Sequence, residues 1–436
     1  MKIAYITAGA AGMYCGTCMH DNTLAASLME RGHEVSLLPT YTPTRTDEGN
    51  VAGDKVFFGA LNVYLQQLGL FRNSRFMDRL LDNRRVLRWV SKMAGKSTTD
   101  ASDLGALTHS MLCGETGHQA KELDKLIDFM EEHIQPDVVH VSLLLFSGFA
   151  RRVKERLGVP VVCSLQGDDL FLEDLVEPWK SRCLEEIRAR VDEIDAFTAP
   201  CDYYARLMAH DYGVPFARTF PARLGIHGAD FKDAADRAPN ERPVIGYLAR
   251  QAPEKGLHQL IDAFLLLAPR RPDAVLRVAG YLGAKDEAFV AEQRAKVAKA
   301  GLGDRVDWVG EVDRDGKVDF LHGLDVFTVP TVYREPKGLF VPEALASGVP
   351  VVLPDHGAFP EWVERTGGGV LVEPESPQAL ATALGELLDD PDRRRQLADS
   401  GRGAVLRDFN PEVMADEMLD LYQRLLAGDV SAAAAA

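Results

Sequence analysis

The stretch DVFTVPTVYREPKGLFVPEALASGVPVV, residues 325–352, decides how this chain is built. Residues 325–330 form a short apolar run bounded by turn formers, the pattern of a buried strand. A glycine-containing turn follows, a helix is expected to start near Pro342, and residues 350–354 open another apolar run. Strand, helix and strand in this order make a βαβ unit, whose two strands must run parallel. Two glutamates eight positions apart, Glu335 and Glu343, flank the turn. Carboxylates at the C-terminal end of a parallel strand face the crevice where such sheets take ligands, and each accepts two hydroxyls of a sugar or a ribose. The same loop offers N–H groups at a helix start to an anion.

Outward from this stretch the rhythm repeats. Apolar runs at 243–248, 274–280 and 305–310 alternate with amphipathic segments such as 257–267. The first half carries its own series at 2–8, 34–39, 137–141, 160–165 and 195–199, with an apolar helical pattern at 24–29 that stops at Arg31, Gly32 and His33. At 436 residues the chain exceeds what one core supports, so two α/β units in series are expected. Residues 1–227 make the first and 243–408 the second, joined by the polar linker 228–242. A helical stripe through Phe409, Val413, Leu421 and Leu425 should pack 409–430 back on the first unit, leaving 431–436 as a tail. Residues 41–117 break the rhythm and read as an insertion, mostly helical over 62–95.

Composition narrows the function. The chain has 65 acidic against 49 basic residues, a formal charge of −16, which disfavours nucleic acid as a partner. No run approaches the ~18 apolar residues of a membrane span, and the N-terminus lacks a signal-peptide pattern, so a cytoplasmic protein is expected. Six cysteines, all between Cys15 and Cys201, are too few and too lopsided for a disulfide framework.

The run 335–352 resembles the E-x7-E signature of the retaining glycosyltransferases of family 4. Around it stand GYLARQAPEKG (246–256), VAG (278–280), VG (309–310) and PDHG (354–357) before Glu361, an ordered set that is similar to the same family. The resemblance covers nearly the whole chain outside 41–117. It implies the GT-B fold, an α/β architecture of two Rossmann-like doubly wound parallel-sheet domains facing across a cleft. It also implies a hexosyltransferase that moves a sugar from a nucleotide-diphosphate sugar to an acceptor hydroxyl with no cofactor and no metal.

By position, Arg250 and Lys255 match the family's basic pair on the donor diphosphate, which suits one planar fork and one point charge after a crevice-facing strand. Glu343 is expected on the donor ribose and Glu335 on the sugar hydroxyls, with Gly338 and Leu339 lending backbone N–H groups. The family usually has Gly-Phe after the first glutamate, where this chain has Pro336 and Lys337. In the first half, Gly12 and Gly16 stand in a glycine-rich loop after the first strand, and the family's loop there touches phosphates and acceptor. Its spacing is not that of a dinucleotide fingerprint. Cys15 and Cys18 have redox-pair spacing within it, yet the chain lacks a thioredoxin-like context, and small cysteines beside the cleft are the plainer account.

Gln166 stands where many relatives have a histidine, and with Asp168 it is an acceptor-side candidate. Asp313 and Asp315 spell D-x-D in a polar segment and are read as surface. Alternative functions are a nucleotide-sugar epimerase, or a non-catalytic nucleotide-sugar-binding subunit. The acceptor, whether small molecule, glycan or lipid, is not specified by the sequence. Residues 71–96 hold eight basic residues against Asp78 and Asp82, so peripheral contact with the inner membrane surface is one expectation for this insertion, and packing on the first unit the other.

Overall fold

A computed structural model describes residues 1–9, 16–44, 46–53, 56–57, 101–228, 230–231 and 240–429. The expected helix over 62–95, the basic segment 71–96, Gly12 and Cys15 lie outside the described residues, as do most of the linker and the tail 431–436. The chain divides into two compact units, Met1–Gly225 with Pro411–Ala436, and Ile226–Asn410.

Among the described residues each unit holds one six-stranded sheet, and every strand pair in both is parallel. In the first unit the strands are β1 (Lys2–Thr7), β2 (Glu34–Pro39), β3 (Val138–Val141), β4 (Val161–Ser164), β5 (Ala196–Ala199) and β6 (Thr219–Pro221), in spatial order β2-β1-β3-β4-β5-β6. β3, β4 and β5 are buried at every position, as strands covered on both faces must be. One face is covered by Leu24 and Leu28 of helix Gly16–Glu30 and by Met414, Met418 and Tyr422 of the C-terminal helix Pro411–Leu426. The other face meets Leu126, Ile127, Phe146, Phe149 and Ile187.

Helix Gly16–Glu30 begins well before the apolar pattern that announces it, because its early buried positions are polar: His20, Asp21, Asn22 and Thr23. Asn22 and Thr23 are satisfied by the loop that follows β2, and Asp21 by Tyr5, Thr7 and Gln166. Asn22 donates from Nδ2 to the Gly49 carbonyl at 2.9 Å and accepts from the Val51 N–H at 2.9 Å, while Thr23 donates to Glu48 at 2.9 Å. Hydrogen bonds replace hydrophobic burial here, so apolar periodicity does not see the turn.

The second unit contains β7 (Val244–Leu248), β8 (Val275–Ala279), β9 (Val306–Gly310), β10 (Val326–Phe327), β11 (Val351–Pro354) and β12 (Gly369–Val372), ordered β12-β11-β10-β7-β8-β9. Helix Leu257–Leu267 buries Leu257, Leu260, Ile261, Phe264 and Leu267 on one stripe, and its bounds are those of the sequence pattern. β10 is shorter than its apolar run. The Thr331 N–H turns back to the Val329 carbonyl at 2.9 Å, which closes a tight turn before Pro330 could continue a ladder it has no N–H to join. β6 and the half-buried edge strand β12 have no counterpart among the apolar runs. Phe409 belongs to this unit, its ring 4.6 Å from that of Trp362, and the buried stripe of the last helix runs through Met414, Met418, Leu421 and Leu425 with Val413 half-buried beside it.

Candidate functional site

In the second sheet the direction of winding reverses between β7 and β10, so the loops leaving these adjacent strands diverge from one edge. A ligand crevice belongs at the carboxyl ends of the strands at such a point. The loop after β7 carries Arg250 and Lys255, and the loop after β10 carries Tyr333 and Glu335. Lys255 Nζ donates to Glu335 Oε2 at 2.7 Å and to the Tyr333 hydroxyl at 2.5 Å, while the Tyr333 hydroxyl donates to the same carboxylate oxygen. Residues eighty positions apart in sequence thus form one hydrogen-bonded cluster.

The backbone is shaped to allow it. Gly256 sits at φ +72°, and a Cβ there would lie 1.7 Å from the Pro330 carbonyl oxygen, so the first loop crosses the end of β10 in contact only a glycine permits. Gly357 does the same for Glu335: at φ +62° its missing Cβ would stand 2.6 Å from the Glu335 carbonyl oxygen. The buried Tyr247 hydroxyl donates to the Arg250 carbonyl at 3.1 Å and clamps the loop between the two cations.

Glu335 is 5% exposed. Burial pushes its carboxyl up, but the Lys255 charge and hydrogen bond, the Tyr333 hydroxyl and the Gly338 N–H outweigh it and hold the group below the usual range. The Gly338 N–H donates to Glu335 Oε1 at 3.2 Å. Leu339 stands immediately before helix Phe340–Ala346, with no side-chain bond capping it, and the helix starts two residues before the expected Pro342. Arg250 keeps about a third of its side chain in solvent; it pairs with Glu254 one turn on and lies 3.6 Å from Asp286. Burial pushes the Asp286 carboxyl up and Arg250 opposes this.

Glu343 does not join this cluster in the described contacts. It accepts from Lys317 Nζ at 2.5 Å, and both side chains are more than nine-tenths buried. Lys317 lies on helix Arg314–His322, one turn after Asp313, whose exposed carboxylate caps that helix by accepting from the Gly316 N–H at 2.9 Å. The D-x-D pair is therefore a helix start.

In the first unit the winding reverses between β1 and β3. Gly16 opens the helix after β1. The buried Gln166 amide donates to Asp21 Oδ1 at 2.8 Å and to the Ser142 carbonyl at 3.3 Å. Asp21, fully buried, also accepts from Tyr5 at 2.9 Å and Thr7 at 2.6 Å. Burial raises its pKa, yet His20, Thr7 and Gln166 prevail and keep the group anionic. Asp168 is the opposite case: burial, assisted by Asp169, pushes its carboxyl up to about 7. Sequence reasoning missed Lys317, Tyr333, Asp286 and Asp21. None belongs to a motif by itself, and only strand adjacency shows that two of them partner the glutamates.

Residues 229–404 match the family described as glycosyl transferases group 1, and residues 21–225 match the glycosyl transferase 4-like domain. The lipopolysaccharide core biosynthesis mannosyltransferase LpsB of Rhizobium meliloti is 34% identical over 221 residues, which span 47% of this chain and 62% of LpsB. Sucrose-phosphate synthase from Thermosynechococcus elongatus superposes with a TM-score of 0.71 at 19% identity, covering 98% of this chain and all of that one. The Anabaena protein HepE in complex with UDP gives a TM-score of 0.66 at 16% identity, with 97% of this chain and 100% of HepE covered. These two likenesses establish the GT-B fold.

Proposed function

This chain belongs to the family 4 glycosyltransferases, and from that membership we propose that it transfers a hexose from a nucleotide-diphosphate sugar to an acceptor hydroxyl with retention of anomeric configuration. The observation that carries the reading is the Lys255, Tyr333 and Glu335 cluster at the reversal point of the second sheet, with Arg250 on the same loop as Lys255.

The planar Arg250 fork and the Lys255 ammonium grip the donor diphosphate. Lys255 directs two of its protons at Tyr333 and Glu335, and a phosphate oxygen takes the third. Glu335, kept anionic, accepts from the sugar hydroxyls, and Glu343 from the ribose. The acceptor oxygen bonds to the anomeric carbon on the face from which the diphosphate departs, the bond from that carbon to the phosphate oxygen breaks, and the acceptor's proton passes to the departing diphosphate. Stabilising the charge that grows on this leaving group is the protein's main contribution, and the two cations do so without a metal. The UDP complex of HepE supports a nucleotide donor. Gln166 and Asp168, at the carboxyl end of β4, remain the residues proposed to meet the acceptor.

A thermal-shift panel of UDP-, GDP- and ADP-sugars tests the donor, since a ligand at a hundred times its Kd adds about 2.7 kcal/mol of stability. NMR of the product formed from the winning donor then reads the anomeric configuration. An inverted product removes the retaining mechanism, and no stabilisation by any of the donors removes the nucleotide-sugar assignment.

A further inference from the structure

Away from the transfer site, helix Ala101–Leu112 lies on helix Trp179–Arg190 within the first unit. Their approach is close because Gly105 has no side chain: a Cβ there would stand 2.5 Å from Trp179 Cβ. One turn beyond, His109 and Cys113 share a face. The Cys113 N–H donates to the His109 carbonyl at 3.0 Å, so helical spacing persists past the last helical residue, and Cys113 Sγ is 3.8 Å from His109 Nδ1 and 3.9 Å from Nε2. Glu186 reaches the same place from the facing helix, and one ligand atom from each of the three residues lies within 4.8 Å of the others. Among the described residues this is the only such group of histidine, cysteine and carboxylate.

We propose that His109, Cys113 and Glu186 bind a zinc-type divalent ion that fastens these two helices together. The donor set is one nitrogen, one thiolate sulfur and one carboxylate oxygen, which suits borderline-soft Zn²⁺ in a tetrahedral site. Around such an ion neighbouring ligand atoms stand roughly 3.3 to 3.7 Å apart, as follows from metal–ligand bonds of about 2.0 to 2.3 Å. Nδ1 and Sγ are already within a few tenths of an ångström of that, and rotation of the histidine and glutamate side chains closes the rest.

The surroundings fit a cation as well. Glu186 Oε1 accepts from Arg190 Nε at 2.8 Å, the kind of outer hydrogen bond that orients a ligating carboxylate. Arg190 and Arg151 are in turn held by Glu115 and Glu193. Three carboxylates against two guanidiniums leave one negative charge, and the Cys113 thiolate adds another, so a divalent ion makes the cluster neutral. Binding releases the thiol proton to solvent. Cys183, one turn before Glu186 on the same helix, lies outside this group with its thiol directed at the Gly105 carbonyl at 3.9 Å, so water fills the fourth position.

The test is a titration of the full-length, chelator-stripped protein with Co²⁺, followed by Zn²⁺. One equivalent of Co²⁺ should give a thiolate-to-cobalt charge-transfer band with the visible bands of a tetrahedral site, and Zn²⁺ should bleach it. Cys113→Ser should abolish the band and Glu186→Gln should weaken Co²⁺ binding at least tenfold, whereas Cys18→Ser should leave both unchanged. Should Cys113→Ser fail to fold by circular dichroism, the wild-type titration and Glu186→Gln decide. No band at one equivalent in the folded wild type overturns the site, as does a band that persists in folded Cys113→Ser or that Cys18→Ser removes.

Discussion

The two glutamates of the E-x7-E run lie in different electrostatic settings, and this separates their roles residue by residue. Glu335 is bound to Lys255 and Tyr333, Glu343 to Lys317. If Glu335 holds the sugar and Glu343 the ribose, calorimetry should find that Glu343→Gln weakens free nucleoside diphosphate, while Glu335→Gln leaves that affinity near wild type and lowers kcat, because contacts to the sugar strengthen as it becomes cationic. Equal losses of diphosphate affinity in both variants would remove this division. Lys255→Ala is a poor probe here, since it strands the Glu335 carboxylate in a buried place, an error worth about 3 to 5 kcal/mol of stability.

Asp168 permits a pH test. Its folded pKa of about 7 stands above the ordinary 3.8, so the folded chain binds the extra proton between these values and the unfolded chain does not. The contribution of Asp168 to stability is therefore best at low pH, falls as pH rises from about 4 to about 7, and is level above that. In urea denaturation, Asp168→Asn should gain stability relative to wild type across this window. A difference independent of pH would show that Asp168 is ionised in the folded state. Asp168 and Gln166 were legible in the sequence because they follow a short apolar run, but their environment was not, since Asp21 lies 145 residues from Gln166.

At the scale of elements, strands and helices were legible wherever burial is apolar. The runs at 34–39 and 257–267 coincide with β2 and helix Leu257–Leu267 because their inward residues are Val, Leu, Ile and Phe. The first turns of helix Gly16–Glu30 were not, because His20, Asp21, Asn22 and Thr23 are buried through hydrogen bonds. Likewise the E-x7-E loop was visible as a motif, while Lys317, which holds its second glutamate, lies on another helix that only the folded sheet brings near. The crossing of the β7 loop over β10 makes an element-scale prediction. Gly256→Ala adds a Cβ at 1.7 Å from backbone, at a positive φ, so thermal unfolding should show a loss of 3 kcal/mol or more, on the order of the largest single-residue effects. A Tm unchanged within error would mean that this loop is not held against Pro330.

Across the whole molecule, the last helix completes the first unit rather than extending the second. Its Tyr422 hydroxyl lies 2.6 Å from His140 Nδ1 on β3, and Ser164 lies 2.8 Å from Nε2, all buried. Burial pushes the His140 pKa down to about 3, so the ring is neutral and each nitrogen relies on its partner. Tyr422→Phe should lower unfolding free energy by about 1 to 3 kcal/mol, the usual consequence of orphaning one buried polar atom. An unchanged midpoint in urea would show that the terminal helix does not support the first sheet through this bond.

The proposed transfer depends most heavily on the grip of Arg250 on a departing diphosphate; Arg250 keeps about a third of its side chain in solvent, and because the buried Asp286 lies 3.6 Å from it, each variant is first checked for folding by circular dichroism. The most direct measurement is the single-turnover transfer rate of Arg250→Ala and Arg250→Lys with the donor found by thermal shift. The account predicts a fall of roughly 10² or more for Ala, equivalent to about 3 kcal/mol of lost charge stabilisation, with only partial recovery for Lys because the bidentate fork is gone. Transfer by Arg250→Ala within a few-fold of wild type would contradict it.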